Sequence, residues 1–248
     1  MRDTFGYQTV SPKQRQEKIS HVFASIAPRY DLMNDLMSFG IHRWWKTRLV
    51  HKLRASKNAL IVDLAGGTGD VGAKIYKSKG TSVIIVDASK EMVEAGKQKL
   101  DLPLHWLVAT GEQMPFADNS IDVITLSFGL RNMTDTDAVL QEINRCLKPG
   151  GQFLCLEFST PVFWLKPFYD FYSWAIIPRL GAFVAREPAA YQYLIESIRK
   201  FPNQLELCDQ FTKAGFGDVE YSNYSFGICA LHHGKKPQHL KEHQLERQ

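Results

Sequence analysis

Two periods of apolar residues divide the chain. Between residues 15 and 54 they recur at helical spacing: Ile19, Val22, Phe23 and Ile26 share one stripe until Pro28 stops it, and a second helical stretch, HRWWKTRLVHKL, follows Gly40. From residue 59 onward, short apolar runs of buried-strand type alternate with amphipathic stretches. ALIVDLA, TSVIIVDAS, LHWLVAT, IDVITLSFG and QFLCLEFS read as strands; VGAKIYKSK, KEMVEAGKQKL and TDTDAVLQEINRCL read as helices, with Ser89 placed to cap the second. Such alternation predicts a parallel sheet covered by helices on both faces.

The last third changes character. TPVFWLKPFYDFYSWAIIPRLGAFVA is dense in aromatics and carries prolines, so it reads as an insertion at about residues 160–190. YQYLIESIRKFPNQLELCDQFTKAGF is helical again, and FGDVEYSNY with SFGICALHHG can pair as a closing antiparallel hairpin. The expected architecture is α/β and Rossmann-like: a mostly parallel seven-stranded sheet with a C-terminal antiparallel hairpin, a helical N-terminal cap and an aromatic-rich insertion. One domain is expected over residues 1–234, its cap at about 15–54, with a frayed, solvated tail at 235–248.

Composition narrows the class. The 248 residues are 44% hydrophobic, enough for one large core, and the net charge of +4 is too slight to mark a nucleic-acid surface. Cys146, Cys155, Cys208 and Cys229 are far apart and form no CxxC, so neither zinc nor a disulfide framework is expected, and no metal is assigned. The polar start lacks the apolar core of a signal peptide, and Glu157, Lys166, Asp170 and Arg179 interrupt the most apolar region. A cytoplasmic protein without a membrane span is expected.

The chemistry centres on IVDLAGGTGDVG, residues 61–72. Gly67, Gly69 and Gly72 satisfy the GxGxxG spacing of dinucleotide loops, and Asp87, at the end of the next strand, suits ribose hydroxyls; both features serve a nicotinamide or a methyl donor equally. Asp63, just ahead of the loop, breaks the tie. A carboxylate there can face the ammonium of a methionine moiety, whereas it would repel a pyrophosphate. The acidic turn ATGEQMPFADNS and the segment LKPGG, whose Gly150 and Gly151 suit a turn with φ > 0, complete a pattern that resembles the class I S-adenosylmethionine-dependent methyltransferases.

Finer motifs narrow the resemblance. APRYDLMNDLMSFGIHRWWK (27–46), DLAGGTGD (63–70), SFGLRNMTD (127–135), LEFS (156–159), YLIESIRKFP (193–202) and AGF (214–216) are similar to the ubiquinone/menaquinone biosynthesis C-methyltransferase family. In that family alanine is the usual first residue of the loop, as Ala65 is here, and Gly72 becomes a helix-packing residue. The resemblance implies S-adenosyl-L-methionine as cofactor, held by Asp63, Gly67, Thr68, Gly69, Asp87, Thr110, Gly111 and Ser127. Thr110 and Gly111 depart from the family's usual Asp or Asn followed by Ala, so a Thr hydroxyl and a backbone N–H would serve the adenine.

The implied reaction moves the methyl to a ring carbon of a polyprenylated hydroquinone, a benzoquinol or a demethylmenaquinol or both. Arg131 follows the fourth strand at the ligand-binding edge, where its guanidinium could stabilise a developing phenolate or form a structural ion pair; Asn132 would orient the ring. Tyr30 and Asp31 are candidates for substrate contact or for helping a water take the proton, or for capping and packing. His42 and Arg43 stand between acid–base and capping roles. The histidines of LHHGKKPQHLKEH show no ligand spacing. The aromatic insertion could line a groove for the prenyl tail, touch a membrane surface with help from Lys166, Arg179 and Arg186, or pack the cap.

Cytoplasmic location with peripheral contact at an inner membrane, a homodimer, or a place in a quinone-biosynthesis assembly are all compatible with the resemblance. Three alternatives stand beside it. Nucleic-acid methylation lacks a DPPY or NPPY motif and a Pro-Cys pair, a nicotinamide oxidoreductase rests on three glycines, and a non-catalytic binding subunit would not need Asp63, Asp87 and Arg131 together.

Overall fold

The computed structural model describes residues 4–26, 35, 38, 40–172, 175 and 188–238. A short hairpin opens the chain, β1 (Thr4–Phe5) paired with β2 (Gln8–Thr9), and leads into α1 (Pro12–Ile26). α1 starts three residues ahead of the expected residue 15 because Ser11 and Gln14 cap it reciprocally, each side chain accepting the other's backbone N–H, with Pro12 next in line. The cap continues in α2 (His42–Lys52).

Strands and helices then alternate as the sequence pattern predicts: β3 (Ile61–Leu64), α3 (Asp70–Lys79), β4 (Val83–Asp87), α4 (Lys90–Lys99), β5 (His105–Val108), β6 (Ile121–Ser127), α5 (Thr136–Cys146) and β7 (Leu147–Phe158). Ser89 caps α4 by accepting the Met92 N–H, and Asp135 caps α5. After α6 (Lys166–Phe171), the predicted long helix is two, α7 (Pro188–Lys200) and α8 (Gln204–Lys213). Pro202 separates them, and Asn203 with Glu206 builds a capping box at the restart. β8 (Gly217–Tyr224) and β9 (Cys229–Lys235) form the closing hairpin.

The main sheet runs β5-β4-β3-β6-β7-β9-β8; β3 pairs parallel with β4 and β6, whereas β9 lies antiparallel between β7 and β8. Its order reverses at β3, so loops leaving β3 and β6 open a crevice at their carboxyl ends. Alternation along β3 sends Ile61 into a core with Trp45, Leu49, Ile75 and Ile85, and Val62 and Leu64 into a second with Leu140, Ile143, Phe153 and Phe211. Both faces are buried, which is why these strands read as short, mostly apolar runs.

Two expectations change. LKPGG is already the first part of β7, and of its two glycines Gly150 has the positive φ (80°), while a Cβ on Gly151 would meet the Lys148 carbonyl oxygen at 2.8 Å. The expected tail also starts later. Lys235 belongs to β9, and the Lys236 ammonium donates to the carbonyl of Asn144 at 2.7 Å, near the end of α5. The paired histidines of LHHG sit inside this strand: His232 is 1% exposed and its ring Nε2 lies 3.0 Å from the Gln204 carbonyl oxygen. Burial pushes its pKa down to about 4. No group of three metal-ligating side chains occurs among the described residues.

Candidate active site

The loop from β3 to α3 needs left-handed backbone at Ala65 (φ 50°), Gly67 (φ 56°) and Gly69 (φ 80°). At Ala65 that conformation carries strain of about 1 kcal/mol. Gly129 makes room for it, since a Cβ there would stand 2.6 Å from the Ala65 methyl. Gly72 packs α3 onto the sheet, where a Cβ would touch Ile85 at 3.0 Å.

Asp63 does not face the ligand side of this loop. It is fully buried; Oδ2 accepts the Gly72 N–H at 2.9 Å and Oδ1 accepts the Thr125 hydroxyl at 2.8 Å. Burial pushes its pKa up to about 7 against those two hydrogen bonds. The position expected to meet a methionine ammonium therefore fastens the loop from behind, joining β3, β6 and the first turn of α3.

A cleft at the carboxyl ends of β3 to β6 holds about 940 Å³ of space, counting its open mouth. Gly67, Asp87, Thr110, Gly111 and Asn132 line it, whereas Asp63, Thr68, Gly69, Ser127 and Arg131 do not. Thr68 is buried, a Cβ on Gly69 would strike Trp106 and Ile85, and Ser127 ends β6 beside Leu156. Asp87 Oδ2 accepts the Gly67 N–H at 2.8 Å and Oδ1 the Ser89 N–H at 2.9 Å, so the acid ties the glycine loop to the start of α4. Burial raises its pKa, opposed by those two donors. Gly111 is closely packed: a Cβ there would lie 3.2 Å from the Met133 sulfur, which would have to give by a few tenths of an ångström.

Gln16 and Ile19 of α1 and Phe128 beyond β6 also line it. Sequence periodicity marks Ile19 only as core, and nothing in the pattern announces Gln16. Phe128, inside the SFGLRN motif, is a non-glycine residue at φ 58°. Its ring packs 4.8 Å from that of Phe158, and its carbonyl accepts Arg131 Nη1 at 2.6 Å.

Of the two roles the sequence leaves open for Arg131, the geometry realises the ion pair. Nη1 also donates to Glu157 Oε2 at 2.8 Å, with the side chains 4% and 1% exposed. Burial raises the Glu157 pKa and Arg131 is the largest opposing influence. Arg131 thus pins the strained Phe128 turn to β7. From the other side Arg15, 1% exposed, donates to the carbonyls of Met133 (2.6 Å) and Arg131 (3.0 Å), tying α1 to the same turn.

In the cap, Lys46 is 5% exposed and its ammonium meets Asp70 Oδ2 at 3.0 Å, clamping α2 to the first turn of α3. His42 is buried with Nδ1 2.8 Å from the Ser38 hydroxyl, its pKa pushed down to about 4 by burial first and the Lys46 charge second. It is neutral near pH 7 and part of the packing. Arg43 pairs with Asp35 at the surface. Tyr30, Asp31, Arg179 and Arg186 lie outside the described residues.

Comparison with known proteins gives the family. Residues 11–236 match the model of the ubiE/COQ5 methyltransferase family. A ubiquinone/menaquinone biosynthesis C-methyltransferase UbiE from Rubrivivax gelatinosus is 51% identical over 94% of this chain and 92% of its own length. The mitochondrial 2-methoxy-6-polyprenyl-1,4-benzoquinol methylase of Caenorhabditis elegans is 45% identical over 94% of this chain and 85% of its own. Among solved structures, a methyltransferase from Thermotoga maritima superposes with a TM-score of 0.65 at 20% identity, over 88% of this chain and 99% of its own, which shows the shared fold. The chain therefore belongs to the ubiE/COQ5 methyltransferase family and is an S-adenosylmethionine-dependent C-methyltransferase.

Proposed function

We propose that this chain methylates a ring carbon of a polyprenylated hydroquinone, a benzoquinol or a demethylmenaquinol or both. The observation that carries this reading is a single cleft whose walls join Gly67 and Asp87 to the turn bearing Phe128 and Asn132, so cofactor loop and acceptor turn share one space. The near-complete match to a quinone-biosynthesis methyltransferase supports the acceptor class.

The lining suits the cofactor. Asp87 keeps acceptor capacity beyond its two backbone donors, enough for ribose hydroxyls. Thr110 and Gly111 would serve the adenine through a hydroxyl and a backbone N–H. Bound S-adenosylmethionine supplies an electrophilic methyl; the chain must align the ring and favour its nucleophilic form. A phenol-like hydroxyl of pKa about 10 costs about 4 kcal/mol to ionise at pH 7. We assign Asn132, which lines the cleft, to that oxygen, with Arg131 as a positioning residue acting through the Phe128 carbonyl. Tyr30 and Asp31 of the cap are assigned to substrate contact or to the water that takes the proton.

The insertion presents Phe163 (87% exposed), Phe168 (72%) and Phe171 (67%) to solvent, with Lys166 on the same stretch. We assign this face to a membrane surface, where a polyprenyl substrate dissolves. No helix among the described residues is long and apolar enough to cross a membrane.

Deleting the gene and identifying the quinone that accumulates tests the acceptor. A benzoquinone or naphthoquinone lacking one ring methyl supports the proposal and names the acceptor; an unchanged quinone pool overturns it.

A further inference from the structure

Tyr193 of α7 is absent from the cleft lining and 4% exposed, yet its hydroxyl donates to Asn132 Oδ1 at 3.0 Å. On the other side of that amide, Asn132 Nδ2 approaches the Phe128 carbonyl at 3.4 Å. A carbonyl oxygen can only accept, so the turn of the amide that points nitrogen at Phe128 satisfies both neighbours. The opposite turn would set two acceptors against each other. With one of the two Oδ1 lone pairs taken by Tyr193 and the Phe128 contact long, the Nδ2 donors are the larger part of what Asn132 has left to offer.

We infer that Tyr193 is a positioning residue that locks the Asn132 amide with its donor available to the cleft, so that the site favours the ionised ring hydroxyl of the acceptor. A hydrogen-bond donor stabilises an oxyanion; an amide oxygen in the same place would favour the neutral hydroxyl. The inference rests on the hydroquinone reading above and deepens it.

Tyr193 is itself held on several sides. Phe5 of the opening hairpin stacks on its ring, centroids 4.3 Å apart and planes 10° from parallel. The neighbouring Tyr7 N–H donates to Glu196 one turn along α7 at 2.8 Å. Arg15, Arg131 and Glu157 are the charged groups that act on its hydroxyl, and burial, the largest influence, keeps it protonated and therefore a donor. The hairpin that periodicity does not reveal thus buttresses the tyrosine that sets the amide.

Tyr193→Phe keeps the stacked ring and removes only the hydroxyl. With S-adenosylmethionine and a reduced demethylated quinone, kcat should fall about tenfold, as expected for one displaced donor. KM for S-adenosylmethionine should stay within about twofold, and the acid limb of the kcat–pH profile should move to higher pH. In an Asn132→Ala background the same change should do nothing further; should that variant fail to fold, Asn132→Ser serves as the background. An unchanged kcat, an unmoved pH limb, or an equal loss in both backgrounds overturns the inference while leaving the hydroquinone reading intact. Wild-type protein that methylates no hydroquinone overturns both.

Discussion

Replacing Arg131 by Met keeps the length of the side chain and deletes the charge that faces Glu157. The pair is 2.8 Å apart with both partners almost wholly buried, and among the described residues the other hydrogen bonds to Glu157 come from the backbone N–H groups of Arg131 (3.3 Å) and Phe158 (3.2 Å). Two neutral donors do not replace a guanidinium, so the carboxylate must take up a proton or stay charged without a counter-ion. Breaking a buried pair on one side costs about 3–5 kcal/mol. For a chain of this length that is a fall of about 6–20 °C in Tm. Glu157 is already raised by burial, and without Arg131 its pKa rises further, so the penalty is smallest in acid and grows as pH climbs through the new value. Arg131→Met/Glu157→Leu, which removes both charges, should recover most of the loss. Denaturant melts of the three proteins at several pH values measure this. Cofactor affinity should be nearly unchanged, because Arg131 does not line the cleft, while turnover falls with the loosened Phe128 turn. A single-variant cost below about 1 kcal/mol, or a double variant no more stable than the single, would refute the reasoning.

Two more predictions concern the loop and the surface. Asp63 has its pKa raised from 3.8 to about 7, so its contribution to stability is fully present below about 4 and is lost as pH rises through about 7, opposite in sign to His42 and His232, whose depressed pKa values favour folding as pH rises. Asp63→Asn, whose amide can accept from Gly72 and donate to Thr125, should therefore gain stability more steeply than wild type between pH 4 and 6.5 in parallel denaturant titrations, and superimposable curves would contradict the burial argument. On the insertion, Phe163→Ser with Phe168→Ser should leave Tm within a degree or two, since both rings are exposed, but cut co-flotation with anionic lipid vesicles at least about tenfold; undiminished flotation would remove this face from membrane contact.

The sheet was legible because β3 and β6 are buried on both sides, which turns them into mostly apolar runs, and because Ser89 stands one residue ahead of a helical period. Placement of β9 between β7 and β8 is a different matter: alternation shows a hairpin and says nothing about which of its strands meets the sheet. For Asp63, motif spacing gives nearness to the loop, whereas direction depends on the pleat, which turns the side chain beneath α3 toward Gly72. The partner of Arg131 had a signal in QFLCLEFS, where one acid in an apolar strand demands a cation. The domain boundary expected at Gly234, where the resemblance ends and a polar tail takes over, falls short, because Lys235 and Lys236 continue the structure through backbone pairing and an ammonium near the end of α5.

Methyl transfer itself is the most direct test: purified protein, S-adenosylmethionine carrying a CD3 group, and a reduced polyprenyl quinone lacking one ring methyl, with the product fragmented by mass spectrometry. The expected product bears the intact CD3 on a ring carbon and forms with the reduced quinone but not with the oxidised one, whose ring has no hydroxyl to ionise. Label on oxygen, label in added RNA alone, or equal transfer to the oxidised quinone would contradict the proposed chemistry.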